Sequence, residues 1–138
     1  MKKNNVEVGA IVVSYNPEYS RLLSLCDSLS KQVDVIILVD NGSNNFISEK
    51  ISIADNVIVI SLRENQGIAT AQNVGIKKII DLGLKYVVFF DQDSIVPNGL
   101  IGCLKIILLL VHSMDIPCQL LGLFFLIIDF LFITLRSF

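Results

Sequence analysis

The sequence lacks the features that several classes of protein require. Its 11 lysine and arginine residues nearly balance 13 aspartate and glutamate residues, so the net charge is only −2. A nucleic-acid-binding surface needs an excess of positive charge, and we expect no nucleic-acid partner. The few cysteines and the one histidine give neither a zinc-ligand spacing nor a disulfide framework. We expect the cysteines to be reduced, buried core residues and the histidine to have no special role: Cys26, Cys103, Cys118 and His112.

The N-terminal region lacks an apolar run long enough for a signal peptide. Residues 9–13 are apolar, but Glu7 precedes them closely and the run is short. We therefore expect a first β-strand here, in a cytoplasmic protein.

Apolar, β-branched runs alternate along the chain with segments of helical periodicity. We predict strands at 8–14, 35–39, 57–62 and 86–90. A helix to about residue 31 has Pro17 in its first turn, and a second over about 66–82 ends at Gly83. This alternation is typical of an α/β fold with a parallel sheet covered on both faces.

A polar cluster follows each predicted strand. In parallel sheets, ligands bind beyond the carboxyl ends of the strands. We therefore expect the four clusters to converge at one edge of the sheet. They are Ser14-Tyr15-Asn16, Asp40-Asn41-Gly42-Ser43, Arg63-Glu64-Asn65-Gln66-Gly67 and Asp91-Gln92-Asp93.

Asp91 and Asp93 end the fourth predicted strand, one residue apart. In an extended segment their carboxylates would point the same way and repel each other, unless a cation lies between them. Mg²⁺ or Mn²⁺ typically binds through one or two carboxylates and the phosphates of a substrate. The alternative is a solvated turn in which Asp93 or Ser94 caps the next helix.

The other clusters also allow two interpretations each. Asp40 could accept a hydrogen bond from a base or a ribose hydroxyl, or it could stabilise a turn. Gly67 would let the loop approach a ligand or enter a helix. Asn73 is a poor helix former, which suggests a specific hydrogen bond. Arg63 could meet a phosphate or a base, or lie on the surface.

Four motifs together resemble glycosyltransferase family 2. They are Val-Val-Ser-Tyr-Asn-Pro at 12–17, Val-Asp-Asn-Gly-Ser at 39–43, Glu-Asn-Gln-Gly-Ile-Ala-Thr-Ala-Gln-Asn-Val-Gly at 64–75 and Phe-Phe-Asp-Gln-Asp-Ser at 89–94. Their order and spacing resemble the nucleotide-sugar-binding half of the GT-A fold, over roughly residues 6–101. The Asp-Gln-Asp-Ser form resembles bacterial rhamnosyltransferases that build O-antigen or other surface polysaccharides.

The resemblance implies a nucleotide-sugar donor, most simply dTDP-rhamnose, and a glycan or lipid-linked glycan acceptor. It implies a direct, inverting transfer. Asp91 and Asp93 would hold Mg²⁺ or Mn²⁺, which stabilises the leaving diphosphate, while a general base takes the acceptor's proton. The residues implied to bind the nucleotide sugar are Ser14, Tyr15, Asn16, Asp40, Asn41, Arg63, Asn65, Gly67, Asn73, Asp91 and Gln92.

The general base of such enzymes is not recognisable in this sequence. After Asp93 the only acids are Asp115 and Asp129, in apolar surroundings and in no motif. The helix and strand that the family places after the aspartate motif fade after about Ile101. We therefore expect 1–101 to be the nucleotide-sugar-binding half of a truncated GT-A domain that transfers little or no sugar alone.

The tail, residues 102–138, allows three interpretations. Residues 116–135 are long enough to span a bilayer, although Asp129 would cost up to about 3 kcal/mol there. The narrow composition of the tail favours a frameshift instead. The third interpretation, a set of core helices, would need more polar surface than the tail has. A membrane segment would place the protein at the inner face of the cell membrane. An alternative function is then a non-catalytic sugar-nucleotide-binding module tethered by its tail.

A signalling domain with a phosphoacceptor pocket is a third class of function. It needs a lysine late in the chain, and Lys105, the only one after the acidic motif, lies in an apolar run. The class is therefore disfavoured.

Overall fold

The computed structural model describes residues 7–44 and 54–113 of the 138-residue chain. The chain divides into two compact units, Met1–Asn98 and Gly99–Phe138. The described part of the first unit contains four strands and two helices, and that of the second contains one helix. In chain order the elements are β1 (Val8–Ser14), α1 (Tyr19–Ser30), β2 (Val35–Asp40), β3 (Val57–Ser61), α2 (Ile68–Asp81), β4 (Tyr86–Asp91) and α3 (Leu100–Ser113).

The four strands form one parallel sheet in the order β3-β2-β1-β4. This confirms the predicted α/β fold of the GT-A type. From β1 the chain adds β2 and β3 on one side and then crosses over to place β4 on the other side. The point where the order reverses therefore lies between β1 and β4, which is where open α/β sheets hold their ligands.

Both faces of the two central strands are buried. Side chains alternate between the two faces, so neighbouring residues belong to different sides of the sheet. Ile11, Ile37 and Val39 form one core cluster with the α2 residues Ala71 and Ile79. The alternate residues are inaccessible to solvent as well: Val12, Ile36 and Leu38. This double burial explains why the strands are nearly continuous apolar runs in the sequence.

α2 lies very close to β1 because glycine replaces a larger side chain at the contact. A Cβ atom on Gly75 would lie 2.8 Å from a methyl carbon of Ile11, and one on Gly9 would overlap the end of Ile79. Each glycine thus receives the apolar side chain of the opposite element. The helix is held against the strand that leads to the edge where β1 and β4 end.

The ends of the first two helices test the turn signals in the sequence. Glu18 is the N-cap of α1, so the prediction that Pro17 occupies the first helical turn is wrong, and Pro17 lies before the helix. The predicted stop at Gly83 is confirmed. Gly83 has φ +77, and the N–H groups of Gly83 and Leu84 bond to the carbonyls of Ile80 and Ile79 at 2.9 and 3.2 Å, as in a Schellman motif.

The region after the aspartate motif differs from expectation in two ways. The helix expected to be lost after about Ile101 is present, since α3 extends to Ser113. Cys103 is exposed on this helix, so the prediction that it is a core residue is wrong. Cys26, by contrast, is buried as predicted, and burial raises the pKa of its thiol to about 11.

The predictions for the rest of the tail lie outside the described residues. They concern the candidate membrane segment 116–135, Asp115, Asp129 and Cys118. Within 7–44 and 54–113, no helix is both long and apolar enough to cross a membrane.

Candidate functional site

The carboxyl ends of all four strands meet at one edge of the sheet, because the strands are parallel. Ser14 is level with Asp40, and Asp40 is level with Ser61. On the other side of β1, the last pair of the ladder joins Val13 and Asp91. The four polar segments that follow the strands therefore start from nearly one level, and their predicted convergence is confirmed.

The loops after β1 and β2 are tied together by side-chain hydrogen bonds. The backbone N–H of Asn16 donates to the hydroxyl of Ser43 at 2.8 Å, and that of Asn44 donates to the Asn16 side-chain oxygen at 3.0 Å. Asn16 has φ +45, a left-handed conformation that asparagine tolerates better than most residues. Asn16 therefore shapes the loop, whether or not it also binds a ligand.

Asp40 is almost fully buried at the end of β2, with 2% of its surface exposed. Its carboxylate accepts hydrogen bonds from the Ser43 hydroxyl and from the Ser43 backbone N–H, the latter at 3.3 Å. The structure thus realises the turn-stabilising interpretation of Asp40. The contact between Asp40 and a base stays a prediction.

Asn41 joins the loop after β2 to the loop after β3. Its side-chain amide donates to the Asn65 side-chain oxygen at 3.1 Å and accepts from the backbone N–H of Gln66 at 3.0 Å. Asn65 also accepts from the N–H of Gly67 at 2.9 Å, directly before α2. Both asparagines therefore hold the two loops together. Gly67 has φ +84, and a Cβ atom there would have no neighbour within 4 Å.

The loop after β4 begins with a tight turn. The N–H of Ser94 donates to the carbonyl of Asp91 at 3.0 Å, so Gln92 and Asp93 are the central residues of a four-residue turn. The expectation of an extended segment with both carboxylates on one side is therefore wrong. Asp91 is half-buried and Asp93 is exposed.

The two carboxylates still fit a hard divalent cation by the chemistry of their donor atoms. Carboxylate oxygens are the ligands that Mg²⁺ and Mn²⁺ prefer. Within the described part of the chain, no group of three His, Cys, Asp or Glu side chains could hold a metal ion. Asp91 and Asp93 would therefore be the two side chains that hold the cation, and a bound diphosphate and water would supply its other ligands.

Gln92 reaches across the point where the strand order reverses. Its side-chain oxygen accepts a hydrogen bond from the backbone N–H of Tyr15 at 2.7 Å. This bond joins the turn after β4 to the loop after β1, 77 positions apart in the sequence.

Three further predicted site residues are on the surface: Tyr15, Arg63 and Asn73. Tyr15 exposes 43% of its area beside the Gln92 contact. Arg63 is exposed and forms no hydrogen bond or ion pair with the described residues. Both of its predicted roles, a solvated surface arginine and a ligand contact, are compatible with this environment. Asn73 is exposed on α2 and its side chain makes no hydrogen bond within the described ranges, so the expected specific hydrogen bond is not formed.

The sequence places Ser43 in the second polar cluster but indicates no role for it. Ser43 accepts from Asn16 and donates to Asp40, so it connects two loops through one hydroxyl. The Asp-x-x-Ser spacing was the available signal, because an aspartate side chain readily bonds to residues two or three positions later.

Ser14, implied as a ligand contact, is instead fully buried, and its hydroxyl has no hydrogen-bond partner among the described residues. A buried hydroxyl without a partner lowers stability by about 1–3 kcal/mol. We expect Ser14→Ala to raise the free energy of unfolding of the ligand-free chain by about 1 kcal/mol, measured by urea titration. A fall of similar size would contradict this assignment and would indicate that the hydroxyl is bonded in solution.

Comparison with known proteins agrees with this geometry. The sequence model of the family described as glycosyl transferase family 2 matches residues 10–104. The dTDP-rhamnosyl transferase RfbF of Shigella flexneri is 38% identical over 97 residues, which are 70% of this chain and 33% of that protein. This chain therefore spans about a third of the length of that relative.

Two uncharacterised glycosyltransferases are also similar. The protein of Rickettsia felis is 40% identical over 62 residues, covering 44% of this chain and 10% of that protein. The protein of Rickettsia conorii is 31% identical over 97 residues, covering 67% of this chain and 15% of that protein. With the family match over most of the chain, the parallel sheet and the converging loops, this chain belongs to glycosyl transferase family 2.

Proposed function

We propose that this chain binds the nucleotide-sugar donor of a rhamnosyltransferase, with dTDP-rhamnose as the donor and a glycan or lipid-linked glycan as the acceptor. The observation that carries the proposal is the position of Asp91 and Asp93. They lie on a turn that is bonded to the loop after β1, where the order of strands reverses. The similarity to a dTDP-rhamnosyl transferase supports the choice of donor.

The nucleoside and the diphosphate occupy neighbouring parts of the same edge in this proposal. Exposed Tyr15 and the loops after β1 and β2 receive the nucleoside, and Arg63 lies at its rim. Asp91 and Asp93 receive the diphosphate together with Mg²⁺ or Mn²⁺. When bound, the cation would neutralise the negative charge that develops on the leaving diphosphate.

The hydrogen-bonded loops contribute preorganisation. Hydrogen bonds of Asn41, Asp40 and Asn16 hold the loops after β1, β2 and β3 in place without a ligand. A loop that is already ordered loses less conformational entropy when the ligand binds. We therefore expect the donor site to form in the isolated chain.

Calorimetric titration of the full 138-residue chain with dTDP, dTDP-rhamnose and UDP tests the proposal, each with and without Mn²⁺. We expect binding of the two thymidine nucleotides that depends on Mn²⁺, and weaker binding of UDP. Circular dichroism establishes that the same sample is folded. A folded chain that binds none of the three nucleotides would overturn the proposal, and preference for UDP would overturn the choice of donor.

A further inference from the structure

We propose that Gln92 is a positioning residue that sets the register between the nucleoside and diphosphate parts of the donor site. This inference rests on the proposed donor binding. It differs from the role that the family resemblance implies for Gln92, which is direct contact with the nucleotide sugar. In the structure its amide oxygen is bonded to the protein backbone.

The bond to Tyr15 lies just beyond the end of the paired strands. The ladder between β1 and β4 ends at the pair Val13 and Asp91. After Asp91 the chain enters its turn, so its backbone no longer follows β1. The side chain of Gln92 extends the connection by one further hydrogen bond, at 2.7 Å to the N–H of Tyr15.

This single bond joins the two groups that a nucleotide sugar would have to bridge. Tyr15 is exposed at the end of β1, on the side of the proposed nucleoside. Asp91 and Asp93 flank Gln92 directly in the sequence. Asp91 is held by the ladder to Val13, whereas Asp93 lies in the turn beyond it. The position of Asp93 relative to Asp91 and Tyr15 therefore depends on the length of Gln92 and on its acceptor atom.

Glutamine suits this position for reasons of length and charge. Asparagine is one methylene shorter and would not reach Tyr15 from the same backbone. Methionine has nearly the same length but lacks a strong acceptor. Glutamate keeps the acceptor and adds a third carboxylate beside two others, which a bound cation would have to offset.

The test compares Gln92→Met and Gln92→Glu with the wild type, in the full chain. Calorimetry measures the affinity for dTDP with Mn²⁺, and NMR titration measures the affinity for thymidine, which lacks the diphosphate. We expect Gln92→Met to weaken dTDP binding about tenfold and to leave thymidine binding unchanged. Gln92→Glu, with saturating Mn²⁺, should restore most of the affinity for dTDP. Gln72→Met, on α2, is the matched control and should change neither affinity.

Hydrogen exchange of the Tyr15 amide gives a readout that needs no ligand. We expect the amide to exchange faster in Gln92→Met than in the wild type and in Gln92→Glu. Unchanged dTDP affinity in Gln92→Met would overturn the inference, as would an equal loss of thymidine and dTDP binding. A wild type that binds no nucleotide would overturn both this inference and the proposed function. Failure confined to the variants leaves the proposed function intact.

Discussion

Replacing Gly42 by alanine is expected to lower the free energy of unfolding by about 3 kcal/mol. Gly42 has φ +77, a left-handed conformation that costs an alanine about 1–2 kcal/mol. A Cβ atom there would also lie 2.6 Å from the backbone nitrogen of Asn65 and would overlap the backbone of Glu64. Backbone atoms cannot rotate away as a flexible side chain can, so the two loops would have to separate.

The consequence reaches the proposed donor site as well as stability. Separation of the loops would break the hydrogen bonds that Asn41 makes to Asn65 and Gln66. We therefore expect Gly42→Ala to weaken dTDP binding even at a temperature where the variant is folded. Urea titration followed by circular dichroism measures the stability, and calorimetry measures the binding.

Gly83→Ala is the matched control for Gly42→Ala. Gly83 has the same φ, +77, but a Cβ atom there would have no neighbour within 4 Å. The control therefore carries the conformational cost alone, about 1–2 kcal/mol. Equal losses in the two variants would show that the close approach of the loops to Gly42 contributes nothing.

Changing both Asp91 and Asp93 to asparagine is expected to reduce Mn²⁺-dependent binding of dTDP by about a hundredfold or more. Asparagine keeps the shape of the side chain and removes the negative charge that attracts the cation. Among the described residues, no third His, Cys, Asp or Glu side chain joins these two in a group that could hold a metal ion. Calorimetric titration with and without Mn²⁺ measures the effect.

Without Mn²⁺ the same double variant should bind dTDP more tightly than the wild type does. The two carboxylates repel a diphosphate when no cation lies between them, and asparagine removes that repulsion. This reversal of sign separates a metal site from general damage to the loop. A double variant that loses affinity equally in both conditions would contradict the metal assignment.

Asp81→Asn controls for the loss of a carboxylate away from the site, and it removes one charge where the double variant removes two. Asp81 is exposed at the last position of α2. α2 starts at the edge where β3 ends, so its last residue lies towards the opposite edge of the sheet. We expect this variant to bind dTDP as the wild type does, with and without Mn²⁺.

The strands, their alternation with helices, and the edge where polar residues gather can all be predicted from the amino-acid sequence. The runs 8–14 and 35–39 are apolar because both faces of β1 and β2 are buried, which local composition records directly. The stop at Gly83 was visible for a similar reason, since a left-handed residue after a helix strongly favours glycine.

The hydrogen-bond partners of the polar side chains, by contrast, depend on how the loops come together in the folded chain. Asp40, Asn41 and Gln92 were predicted from their places after strands, but a hydrogen bond depends on the loop opposite. Gln92 and Tyr15 are 77 positions apart, and neither residue carries a local signal of the other. The crossover through α2 brings β4 beside β1 instead of beside β3 and so places these two residues together.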